Sequence, residues 1–124
     1  METPREACLE ACRACIEACS RLVSESRLDE SGEDLERCVE LGRECADTCL
    51  VMTELVAAES PQAAPFGHFC ATLCRLCAQE CQRHDPDWCL ACADACEACA
   101  QLCGSVARAA WSGQEAQGGR RRCL

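Results

Sequence analysis

Small apolar side chains recur at alternating intervals of three and four residues in four separate stretches of the chain. This spacing places them on one face of an α-helix, and it is also the spacing of the a and d positions of a heptad. The residues between them are mostly Ala, Glu, Leu, Arg and Gln, which favour helices. The pattern therefore predicts four amphipathic helices, at residues 5–27, 33–58, 66–83 and 86–111.

Helix-breaking residues lie between the four stretches, at 29–32, 60–65 and 85–86. In the last break, Asp85 is predicted to be the N-cap of the fourth helix and Pro86 its first residue. Connections this short make consecutive helices antiparallel neighbours. The predicted fold class is therefore all-α, an antiparallel four-helix bundle.

The residue that forms the repeating apolar face is cysteine, so the predicted bundle has a cysteine-lined core. The chain has 17 cysteines among 124 residues, well above the roughly 8–10% that already indicates a cysteine-specialised short chain. Sixteen of them occupy the predicted inner faces of the helices and are called the cysteine seam below. The seam consists of Cys8, Cys12, Cys15, Cys19, Cys38, Cys45, Cys49, Cys70, Cys74, Cys77, Cys81, Cys89, Cys92, Cys96, Cys99 and Cys103. In the second helix, Gly42 occupies a seam position where the other helices have cysteine.

The remaining cysteine, Cys123, lies near the C-terminus in a stretch rich in Gly, Gln and Arg. We expect residues 1–112 to form one cysteine-rich domain and residues 113–124 to be a disordered tail.

The first residues of the chain favour a cytoplasmic location. Residues 1–6 contain acids and a proline, and they lead into the first helix without an apolar signal segment, a twin arginine or a cleavage site. No apolar run approaches a membrane span, so no membrane partner is expected. Because cytoplasmic thiols are kept reduced, so many cysteines indicate metal ligands or redox groups.

Charge and histidine content argue against two other functional classes. The net charge of −9 makes nucleic acid an unsuitable partner. The chain has two histidines, and no residue set suggests a catalytic dyad, so we predict that it is not an enzyme.

The spacing of the cysteines suits a soft metal ion shared between neighbours. Residues three or four apart on a helix have Cβ atoms about 5–6 Å apart, whereas a disulfide needs Cβ atoms about 3.5–4.5 Å apart. Copper(I) prefers thiolate and accepts two ligands. Both the C-x2-C pairs and the C-x3-C pairs are therefore predicted to clamp copper(I).

The charge of an ionised seam favours copper(I) over zinc. Sixteen thiolates carry a charge of −16, which about 16 bridging copper(I) ions would neutralise. Four zinc ions, each held by four thiolates, would leave about −8 buried at a large cost in free energy. The predicted cargo is therefore multiple copper(I) ions per chain, held by the seam cysteines.

The seam of the third helix continues past its last cysteine to His84, which we predict to be a further metal ligand where copper enters. We call this end of the bundle the His84 end. Asp34, Asp85 and Asp87 are expected nearby, and their negative charge would attract a cation or a copper chaperone.

The opposite end of the bundle is expected to be closed by apolar side chains and is called the Val56 end. These side chains are Met52, Val56, Phe66 and Val106.

This cysteine pattern resembles that of the bacterial four-helix-bundle copper storage proteins. The resemblance rests on C-x3-C-x2-C-x3-C in two helices and on Cys89-x2-Cys92-x3-Cys96-x2-Cys99-x3-Cys103 in the last, and it covers residues 5–111. The missing export signal is similar to the cytosolic branch of that family. Membership implies a copper storage protein that forms a homotetramer of bundles, each filled with many copper(I) ions.

Two other functions remain open from the residues alone. One is a general thiol buffer for zinc or cadmium. The other is a regulatory bundle that releases a protein partner when its thiols are oxidised.

Overall fold

The computed structural model describes the backbone of residues 2–117 and the side chains of residues 2–108. It contains four helices, α1 (Pro4–Leu28), α2 (Glu36–Ala57), α3 (Ala63–Cys81) and α4 (Asp87–Gln117), and no strand among the described residues. Helices α1 and α3 each pack against α2 and α4, while the backbones of the diagonal pairs stay apart. The predicted all-α four-helix bundle is therefore confirmed.

Short-range signals fix the start of α1. The Thr3 hydroxyl accepts a hydrogen bond from the Glu6 backbone N–H at 3.1 Å, and the Glu6 carboxylate accepts one from the Thr3 N–H at 3.0 Å. Pro4, which lacks a backbone N–H, opens the helix where no donor is needed.

Helix α4 differs from its prediction at both ends. It begins at Asp87, so Pro86 precedes the helix instead of opening it. The Pro86 carbonyl accepts hydrogen bonds from the Cys89 and Leu90 N–H groups of the first turn. Its backbone continues to Gln117, so residues 113–117 of the expected disordered tail are helical. Gln, Glu and Ala in this stretch favour helix, and one glycine is a small cost. Residues 118–124, with Cys123, lie outside the described part of the chain.

One segment of α4 also overturns the expectation about membrane spans. Asp87–Arg108 has 22 residues and contains an 18-residue window with a mean hydropathy of 1.2, which is enough by length and composition to cross a membrane. Cysteine and alanine account for this value because they count as apolar and repeat along this helix. The same property is found in helices that line a protein core, and this helix carries five of the seam cysteines.

The bundle has a single core that consists mainly of thiols. All sixteen seam cysteines have no exposed surface, and no polar or charged side chain among the described residues is buried with them. Leu22 and Met52 are the largest fully buried side chains. A core that would ordinarily be filled by aliphatic groups is therefore filled by sulfur.

Candidate metal centre

Most of the cysteine seam forms a connected set of sulfurs along the centre of the bundle. The Cys15 sulfur lies 3.6 Å from that of Cys45 on α2 and 3.6 Å from that of Cys96 on α4. The Cys49 sulfur lies 3.7 Å from that of Cys99, which crosses the bundle diagonally. All sixteen are free thiols, so each is available as a ligand.

Most seam thiols fall into small groups whose sulfurs lie within 4.8 Å of one another. There are three groups of four: Cys15, Cys49, Cys74 and Cys99; Cys15, Cys19, Cys45 and Cys96; and Cys19, Cys77, Cys92 and Cys96. There are two groups of three: Cys8, Cys12 and Cys103; and Cys70, Cys99 and Cys103. Because the groups share members, a chain of sulfur-bridged ions could run through them.

Three of the sixteen thiols lie outside these groups, and all three are at the His84 end. They are Cys38, Cys81 and Cys89. Cys38 and Cys81 form the shortest of the sulfur contacts found in the seam, at 3.2 Å, between the start of α2 and the end of α3.

The groups join cysteines four residues apart and not those three apart. Cys15 and Cys19 share a group, and so do Cys92 and Cys96, but no C-x2-C pair of the described seam does. At 100° per residue, four positions differ by about 40° around the helix and three by about 60°. The grouped sulfurs thus include some pairs four residues apart, and the predicted C-x2-C clamps stay a prediction.

The missing cysteine at Gly42 has a steric explanation. A Cβ atom at this position would lie 3.3 Å from a methyl carbon of Leu22 and 3.9 Å from the Cys19 carbonyl oxygen. Leu22 is fully buried and occupies the space into which a cysteine side chain would point. The absence of a cysteine at this seam position of α2 therefore follows from packing against α1.

Burial and neighbouring thiols change the acidity of the seam in opposite directions. Burial, with the charge of Cys38, raises the pKa of Cys89 to about 12. A hydrogen bond from the Cys19 thiol lowers the pKa of Cys92 to about 5. A thiolate is stabilised by thiols that donate to it and opposed by a second thiolate beside it. A cation that replaces a proton removes this opposition, so the seam is suited to exchange protons for metal ions.

At the His84 end, two glutamates hold the histidine ring. Nδ1 of His84 lies 2.5 Å from a carboxylate oxygen of Glu33, and Nε2 lies 3.2 Å from one of Glu80. Burial lowers the pKa of His84, but hydrogen bonds to both glutamates and the charge of Cys38 outweigh it, so the pKa is raised above 6.5. Both glutamates and Cys38 therefore favour the protonated form of the His84 ring.

Two of the three aspartates expected beside His84 have other contacts. Asp87 is exposed and its carboxylate lies 3.8 Å from the Arg21 guanidinium, while Asp34 accepts a hydrogen bond from the Glu36 backbone N–H. The acidic partners of His84 are Glu33 and Glu80 instead. Glu80 could have been found from its spacing four residues before His84, but nothing in the sequence identified Glu33.

The Val56 end is apolar, as predicted. Met52 and Val56 are buried and Phe66 and Val106 are half-buried. A surface pocket of about 440 Å³ lies outside Val56 and Val106. This end is therefore lined by apolar side chains, and the ion pair of Arg5 with Glu59 borders the pocket outside them.

Comparison with known proteins identifies a matching family and a similar protein. The family model described as copper storage protein matches residues 1–108. The cysteine-rich protein YhjQ of Bacillus subtilis is 39% identical over 95 residues, which is 77% of this chain and 88% of that protein.

Two solved structures share the fold over most of their length. The Cu(I)-bound copper storage protein BsCsp3, whose apo form is described from Bacillus subtilis, is 38% identical with a TM-score of 0.81 and covers 85% of this chain and 99% of its own. A cytosolic copper storage protein of Streptomyces lividans, determined with five coppers, is 29% identical with a TM-score of 0.76 and covers 85% and 95%.

Proposed function

The chain belongs to the copper storage protein family, and from this premise we propose that it stores copper(I) on the sixteen thiolates of its bundle. The single observation that carries the proposal is the connected set of buried sulfurs that runs from Cys8 and Cys103 to Cys77 and Cys92, with the Cys38 and Cys81 pair beyond it at the His84 end. Sulfurs spaced this closely can bridge two-coordinate ions along the whole core. Storage, and not catalysis, is the proposed role.

The location and assembly belong to the same proposal. A relative described as cytosolic supports a cytoplasmic location. A homotetramer is supported by apolar side chains on the outer faces of α2 and α3, where Leu50, Val51, Phe69 and Leu76 are each more than two-fifths exposed. Burial of such side chains between copies would favour assembly.

His84 is proposed to receive copper at the open end of the bundle. Its side chain is one-tenth exposed and lies next to the Cys38 and Cys81 pair. An imidazole that is partly in contact with solvent and partly with thiols can accept an ion from outside and pass it inwards.

A zinc or cadmium buffer is the second candidate, favoured by the groups of four thiols. A tetrahedral site of four thiolates is the usual structural zinc site. The group that contains Cys45 shares members with the other two, so at most two groups of four can be filled without sharing a sulfur.

Metal stoichiometry separates the two functions. An anaerobic titration of the reduced protein with copper(I), in competition with a chromophoric chelator, should saturate near 16 ions per chain, about one per seam thiolate. The variant Cys123→Ser is the matched control, because it removes the one thiol outside the seam and should leave this number unchanged. Saturation near two ions for copper as well as for zinc would contradict copper storage and favour separate tetrahedral sites.

A further inference from the structure

Both nitrogens of the His84 ring are engaged by carboxylates. Glu33 and Glu80 contact Nδ1 and Nε2 at 2.5 and 3.2 Å. Ionised carboxylates only accept hydrogen bonds, so the ring must donate from both nitrogens to satisfy both contacts. A ring nitrogen that carries a proton has no lone pair for a metal ion. In this arrangement His84 therefore cannot bind copper until one contact opens.

The two glutamates differ in their positions in the fold relative to His84. Glu80 lies on α3 four residues before His84 and moves with it, whereas Glu33 lies on the connection between α1 and α2, 51 positions away in sequence. The Glu33 contact therefore joins this connection to the end of α3 across the His84 end of the bundle.

The residue before Glu33 has little steric restriction. Gly32, directly before Glu33, has a φ of +86° and open space where a side chain would lie. The Glu33 side chain is about one-third exposed, in contrast to 14% for Glu80. Glu33 is therefore the contact that can open first.

We propose that Glu33 is a positioning residue that latches the His84 ring over the mouth and so controls how fast copper enters and leaves. The proposal rests on the function proposed above. A latch is a barrier shared by both directions, so it changes both rates and leaves the capacity unaltered. A carboxylate that only attracted cations would speed loading and slow release.

The test compares Glu33→Ala with Glu30→Ala, which removes the same charge from the same connection. Copper(I) loading from a donor chelate and removal by a competing chelator should each be roughly threefold faster in Glu33→Ala, as expected for loss of a partly exposed ion pair. The number of ions bound should not change, and Glu30→Ala should behave as the native chain. Equal rates in the two variants, or slower loading alone, would overturn the latch.

A double variant checks that Glu33 acts through the histidine. His84→Ala should slow both loading and removal, because the receiving ligand is lost, while the capacity stays the same. In this background Glu33→Ala should have no further effect. An equal acceleration with and without His84 would show that Glu33 does not act through the ring.

A copper-free readout separates the latch from copper storage. A ring N–H that donates to a carboxylate exchanges slowly and gives a low-field proton NMR signal, and the only other histidine, His68, is exposed. The Nδ1 signal of His84 should be present in the native apo protein and in Glu30→Ala and absent in Glu33→Ala. If the native chain bound no copper, the proposed function would fail, and the loss or persistence of this signal would still support or refute the Glu33 contact.

Discussion

At the scale of single residues, the His84 ring couples the end of the bundle to pH. Its pKa is raised in the folded chain because two hydrogen bonds to glutamates and the charge of Cys38 outweigh the effect of burial. A raised pKa means that the folded state binds the proton more tightly than the unfolded chain. The resulting stability is complete below the unfolded pKa of about 6.5 and is lost as the pH rises through the folded pKa.

We therefore expect His84→Gln to lower the free energy of unfolding of the apo protein more at about pH 6 than at about pH 9. Urea denaturation in the presence of a reductant measures the difference. His68→Gln, at an exposed position on α3, should have the same small effect at both pH values. Equal destabilisation by His84→Gln at the two pH values would contradict the ion pairs with Glu33 and Glu80.

Single residues also differ in how far the sequence determines their place. The burial of every seam cysteine could be predicted, because helical periodicity alone puts residues three and four apart on one face. The contact between His84 and Glu33 could not be predicted, because Glu33 lies on a connection whose path depends on the assembled bundle. The sequence shows that Gly42 interrupts the cysteine seam. The reason, contact with a methyl group of Leu22 on another helix, depends on how the helices pack.

At the scale of elements, the helices pack closely where a side chain is missing. A Cβ atom at Gly67 on α3 would lie 2.8 Å from the terminal methyl group of Met52 and 3.1 Å from the Cys103 carbonyl oxygen. Glycine therefore lets α3 approach α2 and α4 at the Val56 end. The carbonyl oxygen belongs to helical backbone and cannot move aside as a flexible side chain would.

Gly67→Ala should destabilise the apo protein by about 1–3 kcal/mol, as overpacking usually does. Gly104→Ala on α4 is the matched control: its nearest neighbour would be the flexible Arg108 guanidinium at 3.3 Å. That variant should be neutral or gain up to about 1 kcal/mol from helix propensity. Chemical denaturation followed by circular dichroism compares the two, and equal effects would show that α3 has room to shift.

Helix ends were predictable only where the signal is local. The start of α1 follows from Thr3, Pro4 and Glu6, which lie within one turn. The N-cap of α2 is Leu35, whose side chain makes no cap, and the preceding Asp34 accepts the hydrogen bond from the Glu36 N–H instead. The continuation of α4 past residue 111 could not be predicted, because Gly and Gln in this stretch are also typical of disordered tails.

At the scale of the whole molecule, the antiparallel arrangement of the helices could be predicted from the short connections. The composition of the core could be predicted from the number and spacing of the cysteines. What the sequence could not supply is the grouping of the sulfurs. Cys15 reaches α2 and α4 at equal distances of 3.6 Å, and such contacts depend on the relative rotation of helices. The seam therefore became a connected set of sites only when four helices were assembled.

The contrast between the two ends of the bundle has a consequence for the order in which ions turn over. If copper enters and leaves only at the His84 end, as proposed, the column behaves as a stack, in which the last ion admitted is the first withdrawn. Loading half of the capacity with the light isotope of copper and the rest with the heavy isotope should therefore label the seam by depth. Partial withdrawal by a chelator, followed by mass spectrometry, should release mainly the heavy isotope. Release of the two isotopes in the loaded proportion would instead mean that ions exchange places within the core, or that the Val56 end also opens.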